Sequence, residues 1–252
     1  MSVFREKVVW ITGAGSGIGR AVARMFAADG ATLILIGRSA DKLKRVHDEV
    51  CAGGASAEMV ALDVCRREQV DAAAADLLER HRRVDVLVNS AGLNVRNRSL
   101  AALKGEDWDQ VIQTNITGAF NMIQAVLPTM RRQRDGLIVN VSSMAAKRVS
   151  GIAGAAYTAS KHGMNGLSLS VSAEEGEDGI RCTALMSGVV ETELLRKRAV
   201  TYTPEELARI LQPQDIAQSV RFLALLPPRC TVPEIQVVPT KPRAPKAGEA
   251  MF

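Results

Sequence analysis

The sequence predicts an α/β fold built on one doubly wound parallel sheet of about seven strands with helices on both faces. Short runs rich in Val, Ile and Leu alternate along the chain with longer amphipathic segments, the order that produces a parallel sheet through right-handed crossovers. Most of the short runs lack a clean apolar/polar alternation, as strands covered on both faces do. The 252 residues, 47% hydrophobic and 23% charged, supply a core large enough for one domain without disulfides.

In chain order, strands are expected at Lys7–Thr12, Thr32–Gly37, Ser56–Leu62, Val84–Asn89, Leu137–Ser142, Ile180–Leu185 and Glu234–Val238. The helical period places helices at Gly17–Asp29, Ala40–Ala52, Arg66–His81, Trp108–Gln133, Ala155–Glu175, Pro204–Leu211 and Pro213–Leu225. No internal repeat or composition break interrupts the first 226 residues. Pro227, Pro228, Pro233, Pro239, Pro242 and Pro245 punctuate the C-terminal stretch.

Bulk properties exclude several roles. The net charge is +5, yet Lys and Arg are scattered and aromatics make up only 4%. A nucleic-acid surface would concentrate that charge beside stacking rings, so no nucleic-acid partner is expected. Cys51, Cys65, Cys182 and Cys230 form no C-x-x-C pair, and His47, His81 and His162 are isolated, so no metal site is expected. The N-terminus shows no signal peptide, and no apolar stretch reaches the ~18 residues of a membrane helix. A cytoplasmic protein without membrane contact is expected.

The first strand ends in Thr12-Gly13-Ala14-Gly15-Ser16-Gly17-Ile18-Gly19, and a helix follows. Glycines let a backbone turn tightly against a pyrophosphate, and the helix start offers free N–H groups and a positive dipole end. Alone, such a stretch could be a plain turn; its place after the first strand of a βαβ series strengthens the phosphate-binding reading. The spacing is not G-x-G-x-x-G. It reads T-G-x-x-x-G-x-G through Thr12, Gly13, Gly17 and Gly19, and in this it resembles the short-chain dehydrogenases/reductases, a Rossmann-type family.

The second strand ends Gly37-Arg38-Ser39. An NAD enzyme tends to place an acid there for the ribose 2′-hydroxyl, whereas an arginine accommodates the 2′-phosphate of NADP. Gly37 takes the place of the acid, Arg38 offers a charged fork and Ser39 a hydroxyl; the plain alternative is a surface arginine at a strand end. NADP(H) is therefore expected over NAD(H), although Ser16 stands where many NADP-type members carry a base. The resemblance further implies cofactor contacts from Ser16, Ile18, Asp63, Val64, Asn89, Ala91 and Gly92.

Tyr157-Thr158-Ala159-Ser160-Lys161 carries the chemistry. Four-residue spacing puts Tyr157 and Lys161 on one helix face, one turn apart. A tyrosine near its reference pKa of ~10 is a poor base at neutral pH, but a neighbouring ammonium favours its phenolate. Upstream, Leu137–Ser142 delivers Ser143 at the C-terminal end of a parallel strand, where ligands gather. Ser142 comes one residue too early and on the opposite strand face. Ser143 precedes Tyr157 by about the interval of the family's catalytic serine, and Asn115 resembles the asparagine that interrupts its helix and holds a water near the lysine. The implied site is Asn115, Ser143, Tyr157 and Lys161, with Tyr157 and Lys161 also touching cofactor.

The resemblance covers roughly residues 5–226, with departures. The sixth strand leads into Ser187-Gly188 where the family has Pro-Gly, which is expected to loosen the turn under the nicotinamide; Gly188, Val190 and Thr192 are still expected to meet it. The C-terminus lacks the usual glycine-rich ending and is nearer the NADP-dependent 3-hydroxy acid dehydrogenases than the acyl-carrier-protein ketoreductases. Residues 1–240 are read as one dinucleotide-binding catalytic domain with a substrate lid at about 189–212, and residues 241–252 as an extended or frayed tail. Arg96 and Arg98 are read as solvated loop charges in preference to ligands for an acidic substrate. The family's helical subunit face falls on Trp108–Gln133 and Ala155–Glu175, which implies a homodimer or homotetramer. The expected activity is hydride transfer between NADP(H) and a small alcohol/carbonyl or hydroxy/oxo acid. The alternatives are a 3-oxoacyl thioester reductase and a non-catalytic dinucleotide-binding regulator.

Overall fold

The computed structural model describes residues 2–196 and 202–241. Seven strands form one sheet: β1 (Val8–Thr12), β2 (Thr32–Gly37), β3 (Ala57–Ala61), β4 (Val86–Asn89), β5 (Gly136–Ser143), β6 (Ile180–Ser187) and β7 (Glu234–Val237). Their order is β3-β2-β1-β4-β5-β6-β7, and every pairing is parallel. The chain winds outward from β1 in one direction and then from β4 in the other, so a crevice opens at the C-terminal ends of β1 and β4.

The helices are α1 (Gly17–Ala28), α2 (Ala40–Ala52), α3 (Arg67–His81), α4 (Gly105–Ile112), α5 (Gly118–Gln133), α6 (Ala155–Glu175), α7 (Glu193–Arg196), α8 (Pro204–Leu207) and α9 (Pro213–Leu225). Successive strand residues point to opposite faces, and both faces are covered. Val9 and Ile11 of β1 join a core with Val22, Phe26, Leu43 and Val220 from α1, α2 and α9. Val8 and Trp10 join a second core with Leu77, Met122 and Val171 from α3, α5 and α6. This double covering is why the strands read as continuous apolar runs.

Four elements differ from the sequence expectation in ways that shape the site. The helix expected at 108–133 starts at Gly105 and is broken by a π turn at Gln113–Thr117. One extra residue per turn gives the slack for Asn115 to leave the regular face. Gly118 then brings α5 close to β3's end: a Cβ there would lie 2.5 Å from Val64 Cγ2. The helix expected at 204–211 stops at Leu207, because the backbone of Leu211 pairs with the segment before α7: Leu211 N–H donates to Val189 O (3.0 Å) and Glu191 N–H to Leu211 O (2.8 Å). β5 and β6 run past their expected ends to Ser143 and Ser187, which pair with each other. Of the tail expected at 241–252, all but Lys241 lies outside the described residues.

Among the described residues, no helix is long and apolar enough to cross a membrane, and no cluster of His, Cys, Asp and Glu could hold a metal ion.

Candidate active site

The site is assembled at the C-terminal edge of the sheet. Thr12 ends β1, and its Oγ1 accepts the backbone N–H groups of Ser90 and Ala91, both at 3.0 Å. This bond fastens the phosphate turn to the loop after β4. Gly13 (φ +64°) touches the same loop: a Cβ on it would lie 2.9 Å from Ala91 N and Ser90 O. A Cβ on Gly19 would lie 2.3 Å from Gly13 O. α1 starts at Gly17 (φ +51°), and Ser16 at its N-cap makes no side-chain cap bond. The first N–H groups of α1 therefore have no side-chain acceptor, and no acidic residue occupies its first turn. Tight glycines, an uncapped helix start and its dipole suit a pyrophosphate, so the turn fits a nicotinamide dinucleotide.

Residues expected along the adenosine side have mixed surroundings. Arg38 is exposed, and no carboxylate pairs with it among the described residues. Ser39 caps α2, its Oγ accepting Lys42 N–H at 3.4 Å. Asp63 Oδ1 accepts Cys65 N–H at 3.0 Å. Buried Val64 is fixed through its carbonyl, which accepts from Asn121 Nδ2 at 2.8 Å. Asn89 is buried under the edge, and its Nδ2 donates to Asn140 Oδ1 at 2.9 Å. Asn140 in turn donates to Ser168 Oγ at 2.8 Å, tying β4, β5 and α6 beneath the site.

Tyr157 and Lys161 lie one turn apart on α6, with Lys161 Nζ 5.6 Å from the tyrosine ring centroid. The ammonium donates to Val141 O at 2.8 Å and is 4% exposed. Burial pushes the Lys161 pKa down to about 8. Ser143 closes β5, and its Oγ accepts Ala145 N–H at 3.1 Å. Ser142 points the other way and donates to Asn165 Oδ1 at 2.6 Å. In the π turn, Asn115 Oδ1 accepts Leu93 N–H (2.8 Å), while its Nδ2 donates to Leu93 O (3.0 Å) and Ser160 Oγ (2.9 Å). Ser160 Oγ donates to Tyr157 O at 2.7 Å. Gly92 leaves the clearance beside them: a Cβ there would lie 3.4 Å from Asn115 Oδ1 and 3.9 Å from Lys161 Nζ.

A cavity of about 100 Å³ gathers Ile18, Ser143, Tyr157, Lys161, Gly188 and Val190, with Gly92 and Thr192 also on its wall. Residues scattered over most of the sequence thus face one space. The expected loosening at Ser187 is absent: Ser187 continues the β6 ladder, Gly188 N–H donates to Val237 O at 2.8 Å, and Pro239 packs under Gly188. Arg96 is exposed, and neither it nor Arg98 lines the cavity. Arg98 instead ties two loops, donating from Nε to Val95 O (2.6 Å) and from Nη1 to Ile152 O (3.0 Å).

Sequence reasoning missed the supporting amides Asn121, Asn140 and Asn165 and the hydroxyl of Ser160. Only Ser160 carried a signal, its place inside the Tyr157–Lys161 motif.

The short chain dehydrogenase family model matches residues 7–202, more than half of the chain. An uncharacterized oxidoreductase of Staphylococcus aureus is 31% identical over 239 residues, covering 95% of this chain and 100% of that relative. The 3-oxoacyl-[acyl-carrier-protein] reductase FabG of Thermotoga maritima is 37% identical over 224 residues, covering 86% and 90%. Among solved structures, a metagenomic short-chain oxidoreductase in complex with NADP superposes with a TM-score of 0.82 at 34% identity, covering 96% of this chain and 100% of that one. An alcohol dehydrogenase of the archaeon Thermococcus sibiricus complexed with 5-hydroxy-NADP gives 0.85 at 30% identity, covering 95% and 99%. Sheet order, site geometry and these similarities agree: the chain is an oxidoreductase of the short-chain dehydrogenase/reductase family.

Proposed function

We propose that this enzyme is NADP(H)-dependent and interconverts a small alcohol and its carbonyl, or a hydroxy acid and its oxo acid. The observation that carries the reading is the buried Lys161 ammonium beside Tyr157 at the wall that also holds Ser143. Gly37-Arg38 at the end of β2 supports the phosphorylated cofactor, since no acid is offered to a ribose 2′-hydroxyl there.

When bound, the cofactor supplies or accepts the hydride. The Tyr157 hydroxyl gives its proton to the carbonyl oxygen in reduction and takes it back in oxidation. The Ser143 hydroxyl donates to the same oxygen and stabilises the charge that develops on it. Lys161, held by Val141 O, keeps a positive charge near the phenol and favours the phenolate. Both Nδ2 hydrogens of Asn115 are committed, so its contact toward a proton relay is the acceptor position left on Oδ1 beside Gly92. Ser16, Gly17, Ile18 and Gly19 receive the pyrophosphate, Asp63, Val64, Asn89, Ala91 and Gly92 flank the adenosine and ribose, and Gly188, Val190 and Thr192 flank the nicotinamide. Residues 1–240 act as one catalytic domain, with residues 189–212 as the substrate lid, of which residues 197–201 lie outside the described residues. Assembly as a homodimer or homotetramer, through the side of α4, α5 and α6 where Trp108 and Leu169 are exposed, and action in the cytoplasm complete the proposal.

The test is calorimetric titration of NADPH and NADH into wild type and Arg38→Ala. NADPH should bind at least about tenfold tighter to wild type, a preference the mutant loses; equal or tighter NADH binding refutes the cofactor assignment. A second reading, a 3-oxoacyl thioester reductase, is favoured by the similarity to the Thermotoga maritima protein. Acetoacetyl-CoA separates the two: NADPH oxidation faster with it than with any small ketone or oxo acid selects the thioester reading.

A further inference from the structure

A cavity of about 630 Å³ lies beside the phosphate turn and adjoins the space around Tyr157 at Thr192. Gly15 and Ser16 wall it on one side, Lys42 and Arg45 of α2 on another, and Thr192 and Glu193 on a third. Lys42 occupies a defined place there. Its backbone N–H is capped by Ser39, one residue after Arg38. Its stem lies against the turn, since a Cβ on Gly15 would come within 2.8 Å of Lys42 Cβ. Its Nζ meets Glu193 Oε2 at 2.5 Å, joining residues 151 positions apart.

Glu193 opens α7, the segment that places Leu194 and Leu195 on the catalytic cavity. Just before it, Thr192 covers Gly17, whose Cβ would sit 3.3 Å from Thr192 Cγ2. One ion pair therefore connects the start of α2, where the 2′ end of the cofactor is expected, to the roof of the reaction space.

We propose that Lys42 is a specificity-determining residue for the phosphorylated dinucleotide, and that Glu193 holds it in the cofactor-free enzyme. This rests on the NADP(H) reading above. The pair is half-exposed, 40% at Lys42 and 56% at Glu193, so it is a weak latch, worth a factor of about two to five in population. A 2′-phosphate brings a charge of about −1.5 to −2 near neutral pH, against one for the carboxylate. The phosphate thus outcompetes Glu193 for the ammonium. Loading of NADP(H), but not NAD(H), breaks this tie between the roof and α2 and loosens the roof over substrate.

Competition between two anions for one cation gives the proposal its test. NADPH, NADH, 2′,5′-ADP and 5′-AMP are titrated calorimetrically into wild type, Lys42→Met and Glu193→Gln. Lys42→Met should weaken NADPH and 2′,5′-ADP about fivefold or more, and Glu193→Gln should tighten both about two- to fivefold. NADH and 5′-AMP should change by neither substitution. In hydrogen exchange, 2′,5′-ADP should speed exchange at Thr192–Leu195 in wild type, and Glu193→Gln should show that faster exchange without ligand. Wild type binding NADH as tightly as NADPH overturns the cofactor reading and the proposal with it. A wild-type preference for NADPH that neither substitution changes overturns the role of Lys42 and the latch together, and one that both substitutions weaken alike overturns the latch; either leaves the cofactor reading standing.

Discussion

Replacing Lys161 with Met should make the cofactor-free protein more stable near neutral pH while abolishing turnover. The ammonium is 4% exposed, and its pKa falls from the ordinary 10.5 to about 8 because burial penalises the charged form. A lysine whose folded pKa lies below its unfolded one costs stability wherever the folded protein must carry the charge. The cost is complete below about pH 8 and disappears as pH rises to 10.5. At about 1.4 kcal/mol per pH unit, the gap costs about 3 kcal/mol at neutral pH. Methionine fills a similar volume without charge but forfeits the bond from Nζ to Val141 O, worth about 1 kcal/mol. The balance favours the variant by about 2 kcal/mol near neutral pH, or roughly 4–8 °C in melting temperature for a chain of this length. Near pH 10 the burial cost has fallen to about 1 kcal/mol and roughly cancels the lost hydrogen bond, so the variant's advantage disappears. Urea denaturation of both proteins at the two pH values measures it, with equal m values as the control. A stability difference that does not change with pH, or a variant less stable at neutral pH, would refute the burial argument.

Three other substitutions separate chemistry from scaffolding. Tyr157→Phe should lower kcat by about 10²–10⁴-fold without loss of NADPH affinity, a split read by turnover and fluorescence titration side by side. Gly13→Ala should cost about 1–3 kcal/mol for its positive φ and press a methyl against Ala91, weakening NADPH binding about tenfold or more; melting curves and titration report both. Arg98→Ala should lose about 2 kcal/mol of stability to urea and lower kcat, yet leave NADPH binding near wild type, since Val95 and Ile152 lie away from the phosphate turn.

Most of the sheet was legible because its strands are buried on both faces: Val8 to Ile11 and Leu33 to Ile36 leave no polar gap for another assignment. The proposed catalytic residues could be picked out because the chemistry assigned to them imposes local spacing, one helical turn from Tyr157 to Lys161 and a strand end at Ser143, and the structure brings these three to one cavity. The π turn was hidden. Val111 and Ile116 keep an apolar rhythm through it, and what breaks the helix is a partner 22 residues away, Leu93, whose backbone takes both polar ends of Asn115. Asn121, Asn140 and Asn165 look like ordinary polar positions in sequence; only tertiary packing shows each one committing its amide to a neighbouring element. The contact of Lys42 with Glu193 has no local signature at all, because it depends on how the chain returns to the first crossover.

Several places where local rules are broken lie at the site, although the left-handed residues Glu6, Arg82 and Arg134 lie elsewhere. Gly13 and Gly17 hold positive φ, the helix before α5 is opened into a π turn, and an ammonium is buried with one carbonyl for company. The buried ammonium costs stability, and in the proposed mechanism each departure serves chemistry that a relaxed alternative would lose. A non-glycine turn would fill the pyrophosphate cradle, a regular helix would withdraw Asn115 from Leu93 and Ser160, and a solvated lysine would leave the phenol of Tyr157 in the field of water instead of a fixed cation. The two well-packed cores on either side of the sheet can absorb these costs because they involve none of the same residues. Stabilising substitutions should therefore be easy to find at Gly92, Lys161 and their neighbours, and each should lower turnover.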